Sequence, residues 1–346
     1  MPSAVSKWAC TRSAWTLYLC AALTFYYLPP SAQAAPAASG AADVAEPAPA
    51  TAADWFEQGQ IARIGDQFEE ALQRFRKAAS MGSAPAMAAL GDMYQQGLGV
   101  RKSEREALVW WRKAAAIGNS EGQARLGLAL ARTGTAAEQQ TGLGLLRQAS
   151  SADNPFAKYA LATLMLQGQL LARDDATALS LLEASANQGE SAAQNLLGQM
   201  YADGNLVAVH ATMAVELLTE AARQGEPEAQ SRLAALYAEG WGVVPDEHEA
   251  AYWYERAAER GYLPAQARLG VMLMEGELIV RDPLRGIDLL RQAAALGNAE
   301  AQFQLGRRML EGQGVPQDTV QGASLLRQVA KAGLPEAQLY IKEHPL

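Results

Sequence analysis

A short motif returns along most of this 346-residue chain at a step of 36 residues. Most copies open with glycine, carry alanine four residues on, and have Leu-Gly or Leu-Ala four further. The opening glycines are Gly82, Gly118, Gly189, Gly225, Gly261, Gly297 and Gly333; Asp153 stands in the one missing slot, and that copy alone arrives a residue early. A fixed period of this length means a stack of supersecondary units, each burying a face on the next, and excludes one closed globule. Aromatic residues make up only 7% of the chain, alanine is abundant and β-branched runs are scarce. These features predict an all-α fold of thin, closely packed helices.

The N-terminus reads differently. Lys7 and Arg12 precede an apolar run from Ala14 to Leu28, Pro29-Pro30 breaks it, and Ala32-Gln33-Ala34 supplies small residues. Positive, then apolar, then small is the order of a secretory signal, so residues 1–34 are expected to be removed by cleavage after Ala34. As a helix the run would span about 22 Å, short of a hydrocarbon core of roughly 30 Å. Export to the periplasm is therefore expected, with secretion or an uncleaved N-terminal membrane anchor as the alternatives. Both cysteines, Cys10 and Cys20, fall inside this segment, so the mature chain would have neither disulfides nor thiols. Of 29 Lys and Arg, Lys7 and Arg12 are lost with it, leaving 27 against 37 Asp and Glu, a net charge of −10. That balance argues against nucleic acid, whose affinity comes largely from cationic contacts with phosphate, and against a basic membrane dock. No stable membrane insertion is expected once the signal is gone.

Residues 35–53 are Ala- and Pro-rich and are expected to form a disordered linker. In the pair that follows, over 54–81, Phe56, Gly59 and Ala62 share one face, and Phe68, Ala71, Phe75 and Ala78 recur at helical spacing. This pair resembles one tetratricopeptide repeat and is expected to cap the stack. Within the array, residues 261–296 show the unit: Pro264 in the first turn, Ala265, Leu269, Gly270 and Leu273 on one face of helix A, Gly276 at its C-terminus, Asp282-Pro283 opening helix B, and Ile287, Leu290, Ala293 and Ala294 on the buried face of B. Ser103 with Glu106, Asp246 with Glu249, and Asp318 with Gln321 read as capping boxes. Gly91, Gly127, Gly198, Gly270 and Gly306 fall in mid-helix, where glycine costs up to about 1 kcal/mol relative to alanine. Their recurrence at one slot implies a backbone approach too close for a side chain.

These units resemble the Sel-one-like repeat (SLR) family, a relative of tetratricopeptide repeats. The resemblance rests on Ala86, Leu90, Gly91, Tyr94, Gly97, Gly99, Val100, Trp110, Trp111, Ala114 and Ala115, and on a second copy at Ala229, Leu233, Tyr237, Gly240, Gly242, Val243, Trp253, Tyr254, Ala257 and Ala258. It covers residues 82–346: seven repeats over 82–332 and a C-terminal capping helix over 333–346. Three units depart at Gly168-Gln-Leu170, Gly204-Asn-Leu206 and Gly276-Glu-Leu278, and the short unit 118–152 has Thr133-Gly134-Thr135 at its turn. The resemblance implies a right-handed α/α solenoid that acts as a non-enzymatic protein–protein interaction scaffold or adaptor. Its partners would be proteins of the bacterial cell envelope, with a periplasmic regulator of a membrane sensor or a polysaccharide-export assembly factor as alternatives. Cysteine-rich relatives credited with β-lactam binding or hydrolysis suggest a hydrolase as a further alternative, but the mature chain lacks their paired cysteines.

No residue set favours chemistry. His210, His248 and His344 are far apart and lack metal-ligand spacing; His210 occupies a helix-capping slot. Asp174, Asp246, Asp282, Asp318, Glu121, Glu228 and Glu300 sit at helix starts, where capping accounts for them. Gly97-Leu-Gly99 and Gly142-Leu-Gly144 follow no strand and are not phosphate loops. No catalytic residue, cofactor site or metal site is expected. Trp110, Trp111, Tyr252, Trp253 and Tyr254 read as packing residues, because most occupy slots held elsewhere by Leu181, Leu217, Leu289 and Leu325. Superposition on a tetratricopeptide-type pair assigns a concave groove to Gln95, Leu128, Phe156, Tyr159, Thr163, Leu166, Asn195, Gln199, Ser231, Met274, Phe303 and Arg307. Asp92, Ala131, Ala235, Val271 and Leu310 share their slots. Phe156, Tyr159 and Leu166 are the expected hot spot for a partner; side chains that merely fill a tightly curled superhelix are the competing expectation.

Overall fold

Wherever the 36-residue period repeats Gly or Ala on one segment and a large residue about 20 positions later, two helices nest. A computed structural model describes residues 51–276 and 280–344. The expected signal segment and its cleavage site, Cys10, Cys20, most of the 35–53 linker, Glu277-Leu278 and the last two residues lie outside the described residues. Among the described residues there are seventeen α-helices and no strands. They form a hairpin α1 (Ala52–Ile64) and α2 (Phe68–Ser80), then seven more: α3 (Ala84–Gln96) and α4 (Glu104–Ala116), α5 (Ser120–Thr133) and α6 (Ala136–Ser151), α7 (Pro155–Gln167) and α8 (Asp175–Asn187), α9 (Ser191–Asp203) and α10 (Ala211–Arg223), α11 (Pro227–Glu239) and α12 (Glu247–Glu259), α13 (Leu263–Glu275) and α14 (Pro283–Ala295), α15 (Ala299–Glu311) and α16 (Thr319–Lys331). A last helix, α17 (Pro335–Glu343), packs on α16.

Every helix packs on its neighbours in the chain. Odd-numbered helices also approach one another across hairpins, α3 with α5, α5 with α7, α7 with α9 and α13 with α15, whereas no even–even pair comes as close. The odd helices are therefore the inner row and the even helices the outer row of a solenoid.

Inside each hairpin the small residue of the inner helix receives a large side chain of the outer one. A Cβ built on Gly91 would lie 2.3 Å from the Trp111 ring, one on Gly198 2.9 Å from Leu218 Cγ, and one on Gly270 2.9 Å from both Leu290 Cγ and the Gly286 carbonyl oxygen. Gly127 meets Leu146 and Gly306 meets Leu326 in the same way. In the two hairpins with alanine at this slot, Ala162 packs with Leu182 and Ala234 with Tyr254. The steric reading of the mid-helix glycines holds: the outer helix of the same hairpin is what comes too close. Three hairpins carry glycine on both helices, with a Cβ on Gly142, Gly286 or Gly322 falling 2.5, 2.7 and 2.7 Å from the facing carbonyl oxygen. In the first hairpin the Phe75 ring covers Gly59 and lies 5.7 Å from Phe56.

The helix ends follow local chemistry. Gly276 ends α13 at φ 66°, and Asp153 takes the left-handed conformation (φ 64°) that glycine takes at the same slot of other units. Ser103, Asp246 and Asp318 accept from the backbone N–H of Glu106, Glu249 and Gln321 at 3.3, 3.1 and 2.8 Å. The reciprocal half of a capping box is formed elsewhere, by Thr51 with Asp54 and Thr135 with Glu138. His210 caps α10, its Nδ1 accepting from Met213 N–H at 3.2 Å. Trp111 and Tyr254 are buried packing residues, while Tyr252 is half exposed, edge-on to Trp253.

Two glycine substitutions of identical chemistry separate this packing from helix propensity. Gly270→Ala should lose about 1–3 kcal/mol, the range for overpacking a close contact. Gly144→Ala, in mid-α6 with no atom within 4 Å of the added Cβ, should gain up to about 1 kcal/mol. Urea unfolding of the two variants beside the parent reads both signs, and a stabilised Gly270→Ala would contradict the nesting.

Candidate functional site

The inner row is not uniform. Its polar centre begins at α3, where Asp92 accepts from the Trp111 indole at 3.1 Å and faces Arg125 of α5 at 3.4 Å. Arg125 also pairs with Glu121 at 2.7 Å, one helical turn back, and Asn154 donates to Glu121 at 2.9 Å. The Arg125 guanidinium lies 3.7 Å from the centroid of the Phe156 ring on α7, a cation–π contact. One arginine thus ties three inner helices together. Burial pushes the Asp92 carboxyl above its ordinary value, against the pull of Arg125. Burial opposes the Arg125 charge, but Asp92 and Glu121 outweigh it and hold the guanidinium more firmly protonated.

Beside this network a cavity of about 500 Å³ opens on the inner face. Its apolar wall is Leu108, Trp111, Leu128, Phe156 and Tyr159; its polar rim includes Gln95, Gln96, Glu104 and Arg132. Arg132, exposed in the last turn of α5, makes no ion pair with any of the described residues. A second hollow of about 360 Å³, between α1, α3 and α5, shares Asp92, Gln96 and Arg125 with the first. Further along, Glu190 and Glu226 stand at the N-caps of α9 and α11 without making a side-chain cap bond. Burial raises the pKa of both: for Glu190 Arg125 opposes the shift, and for Glu226 the neighbouring Glu228 adds to it. Tyr159 is raised chiefly by burial too, with Arg132, Glu226, Glu190 and Glu228 in its field.

The residues assigned to the groove from sequence divide into three groups. Gln95, Leu128, Phe156 and Tyr159 come together around the cavity. Thr163, Leu166, Gln199, Ser231 and Arg307 are half-buried along the inner row, Thr163 donating to its own helix at Ala160 O, 2.8 Å. Four are not open groove positions. Met274 is 6% exposed; its Cγ and Cε fill the space left by Gly286 and Gly314, which turns it toward the outer helix and the next loop. At the same slot Ala131 is buried, and Leu310, half-buried, sets its Cγ against Gly322 of the hairpin partner. Asn195 is buried between α9 and α11, donating to Glu228 at 3.2 Å and accepting from Gln199 at 3.1 Å. Phe303 is buried against Leu326, Val329 and Ala337, with Arg307 5.6 Å from its ring centroid and 5.6 Å from that of Tyr340. Phe156 is 7% exposed because Arg125 lies over it, so it walls the cavity without offering an open face.

Two features escaped the sequence reading. Arg125 and Arg132 matter only once α3, α5 and α7 are side by side. The other feature was legible: glutamine recurs five residues after the opening glycine, and each of Gln194, Gln230, Gln266, Gln302 and Gln338 donates to the carbonyl eight residues back, at 3.0–3.3 Å. These bonds satisfy end carbonyls of the preceding outer helix and clamp each hairpin to the next. Among the described residues no cluster of His, Cys, Asp and Glu is arranged to hold a metal, and no helix is long and apolar enough to cross a membrane.

Hairpins of this length, stacked through small residues, define a helical repeat solenoid. The chain belongs to the Sel1 repeat family: the family model matches residues 84–119, 155–190, 191–226, 227–262, 263–298 and 299–334. Residues 120–154 are not matched, yet form α5 and α6. Among solved structures the chain is similar to a Sel1 repeat protein from Oxalobacter formigenes, at 30% identity and TM-score 0.54, covering 84% of this chain and 86% of that one. It is also similar to c5321, a protective antigen of uropathogenic Escherichia coli with an SLR fold, at 28% identity and TM-score 0.56, covering 83% of this chain and 63% of the antigen. No curated protein matches. Sel1 repeat proteins generally mediate protein–protein interaction, and the family typically serves as a non-catalytic scaffold.

The Glu226 carboxyl yields a pH-dependent expectation. Its folded pKa lies above the ordinary 4.5 because burial disfavours the charge. The charged form therefore costs stability above the folded pKa, and that cost vanishes below 4.5, where both states are protonated. Glu226→Gln should melt higher than the parent at pH 7 and equal to it near pH 4. A variant melting lower at pH 7 would mean that the charge is stabilising.

Proposed function

We propose that this chain is an exported adaptor of the bacterial cell envelope that holds a polypeptide partner against its inner helix row. The observation that carries the reading is the cavity between α3, α4, α5 and α7, which sets an aromatic and aliphatic wall beside uncommitted polar groups. Such a combination suits a segment of polypeptide: apolar side chains gain from the wall, and backbone groups find Gln95, Gln96 and Arg132. The ordering of residues 1–34 supports export, and the likeness to a protective antigen is in keeping with it.

Photo-crosslinking in intact cells tests this directly. A crosslinker placed at Leu128 or Gln95 should capture the same partner, Tyr159→Ala should reduce that capture about tenfold, and a crosslinker at Val109 on the outer row should not capture it. Mass spectrometry of the recovered chain should show a mature N-terminus at Ala35. Capture equal from inner and outer positions, or a full-length chain retained in the cytoplasm, would overturn the proposal.

A further inference from the structure

The cavity lies where one hairpin lacks a loop. Between the inner and outer helices of the other repeats the chain runs through seven residues: 97–103, 168–174, 204–210, 240–246, 276–282 and 312–318. Between α5 and α6 only Gly134 and Thr135 remain. Of the five residues by which the loop is shorter, four have been taken into the helices, since α5 has 14 residues and α6 has 16 where the other inner and outer helices of the repeats have 13. The fifth is the residue by which this repeat is short.

Elsewhere that loop lies back on the preceding hairpin. Gly99 sits so close to the first residue of α2 that a Cβ there would be 2.5 Å from Phe68 C and O, and Gly242 stands in the same relation to Ala211 at the start of α10. In four of these loops the aliphatic residue at the fourth position packs on the preceding core: Val100, with Leu98, on that of α1–α3, Leu171 on that of α5–α7, Val207 on that of α7–α9, and Val315 on that of α13–α15. Among the described residues the α3–α5 core, built on Ala107, Trp111, Leu126 and Leu130, receives no loop side chain. The α10–α11 core receives none either, but there Gly242 still brings the loop backbone onto α10, whereas at α3–α5 the loop itself is missing. Its outer-helix start, Glu104, with Leu108 and Trp111, forms one wall of the cavity, and the extended C-terminal end of α5, Arg132 and Thr133, forms the rim.

We propose that this slot takes an extended segment of a partner polypeptide whose aliphatic side chain occupies the place that the chain's own loop fills in neighbouring repeats. The proposal rests on the adaptor reading and says what the adaptor recognises. The chain's own loops state the chemistry: Gly-x-Gly-Val, with an acidic cap following in Gly240–Asp246 and Gly312–Asp318. A small residue permits the close backbone approach, the valine fills the apolar wall, and a nearby carboxylate complements Arg132, which has no ion-pair partner among the described residues. Binding then amounts to completing a repeat in trans, on a core whose shape is already set.

The probe is the capped, fluorescently labelled heptapeptide of residues 312–318, added to the full-length mature chain and followed by polarisation. Saturable binding is expected. It should weaken tenfold or more for the same peptide with Val315→Asp, for the protein variant Leu128→Glu, and for a variant in which the loop 97–103 replaces Gly134 and Thr135 and so fills the slot in cis. Circular dichroism establishes that both protein variants are folded, and Leu128→Glu carries the test if the graft does not fold. No saturable binding to the parent chain, or equal affinity for the Val315→Asp peptide, would overturn the proposal. If the peptide fails while crosslinks still place a partner on the inner row, the loop-mimic idea falls and the adaptor reading stands. If crosslinks place no partner there and the peptide binds, the reverse holds.

Discussion

One contact sets the geometry of the whole molecule: a glycine or alanine of the inner helix against a leucine, tryptophan or tyrosine of the outer one. It recurs as Gly91–Trp111, Gly127–Leu146, Ala162–Leu182, Gly198–Leu218, Ala234–Tyr254, Gly270–Leu290 and Gly306–Leu326. Full burial of one such large side chain stabilises by about 1.5–3 kcal/mol, against roughly 1 kcal/mol lost by placing glycine in a helix. Burial wins, and it wins only if the helices come together closely enough to exclude a Cβ. That distance fixes the hairpin, and the glutamine bonds between hairpins fix the step from one to the next.

Much of this was legible in the chain because the slots repeat. A mid-helix glycine or alanine that returns with the repeat cannot be a local accident, and the large residue it accommodates returns with the same period. The capping aspartates and the opening prolines were legible for the same reason. Met274 and Phe303 were harder. Whether a side chain one turn away points into the groove or into the hairpin depends on a rotation of a few tens of degrees about the helix axis, which periodicity does not resolve. The Asp92–Arg125–Glu121 network was out of reach because Asp92 and Arg125 come from different repeats; only the pair within one helix recurs, as Arg232–Glu228. The glutamine row was missed despite its period, since a polar residue in a helix is ordinarily read as solvent-facing.

Where the repetition breaks, the surface changes character. The turn Thr133-Gly134-Thr135 preserves the hairpin and its nested contact, so the stack continues through α5 and α6 without interruption. What it omits is the strap that closes the preceding core from the side. The cavity, the exposed Arg132 and the half-buried Asp92 all gather at that gap. A repeat protein gains a distinctive site most economically in this way, by altering one connection while leaving the helix contacts intact.

Cysteine accessibility tests the account most directly. In a chain with Cys10 and Cys20 replaced by serine, single substitutions Leu218→Cys, Leu290→Cys, Leu72→Cys and Leu108→Cys are exposed to a thiol reagent under native conditions. Leu218 and Leu290 are the fully buried nested residues, and Leu72 is the counterpart of Leu108 in a hairpin whose loop is in place. The account expects rapid labelling at position 108 alone and protection at the other three until the protein unfolds. Protection at 108 equal to that at 72, or ready labelling at 218 and 290, would contradict it.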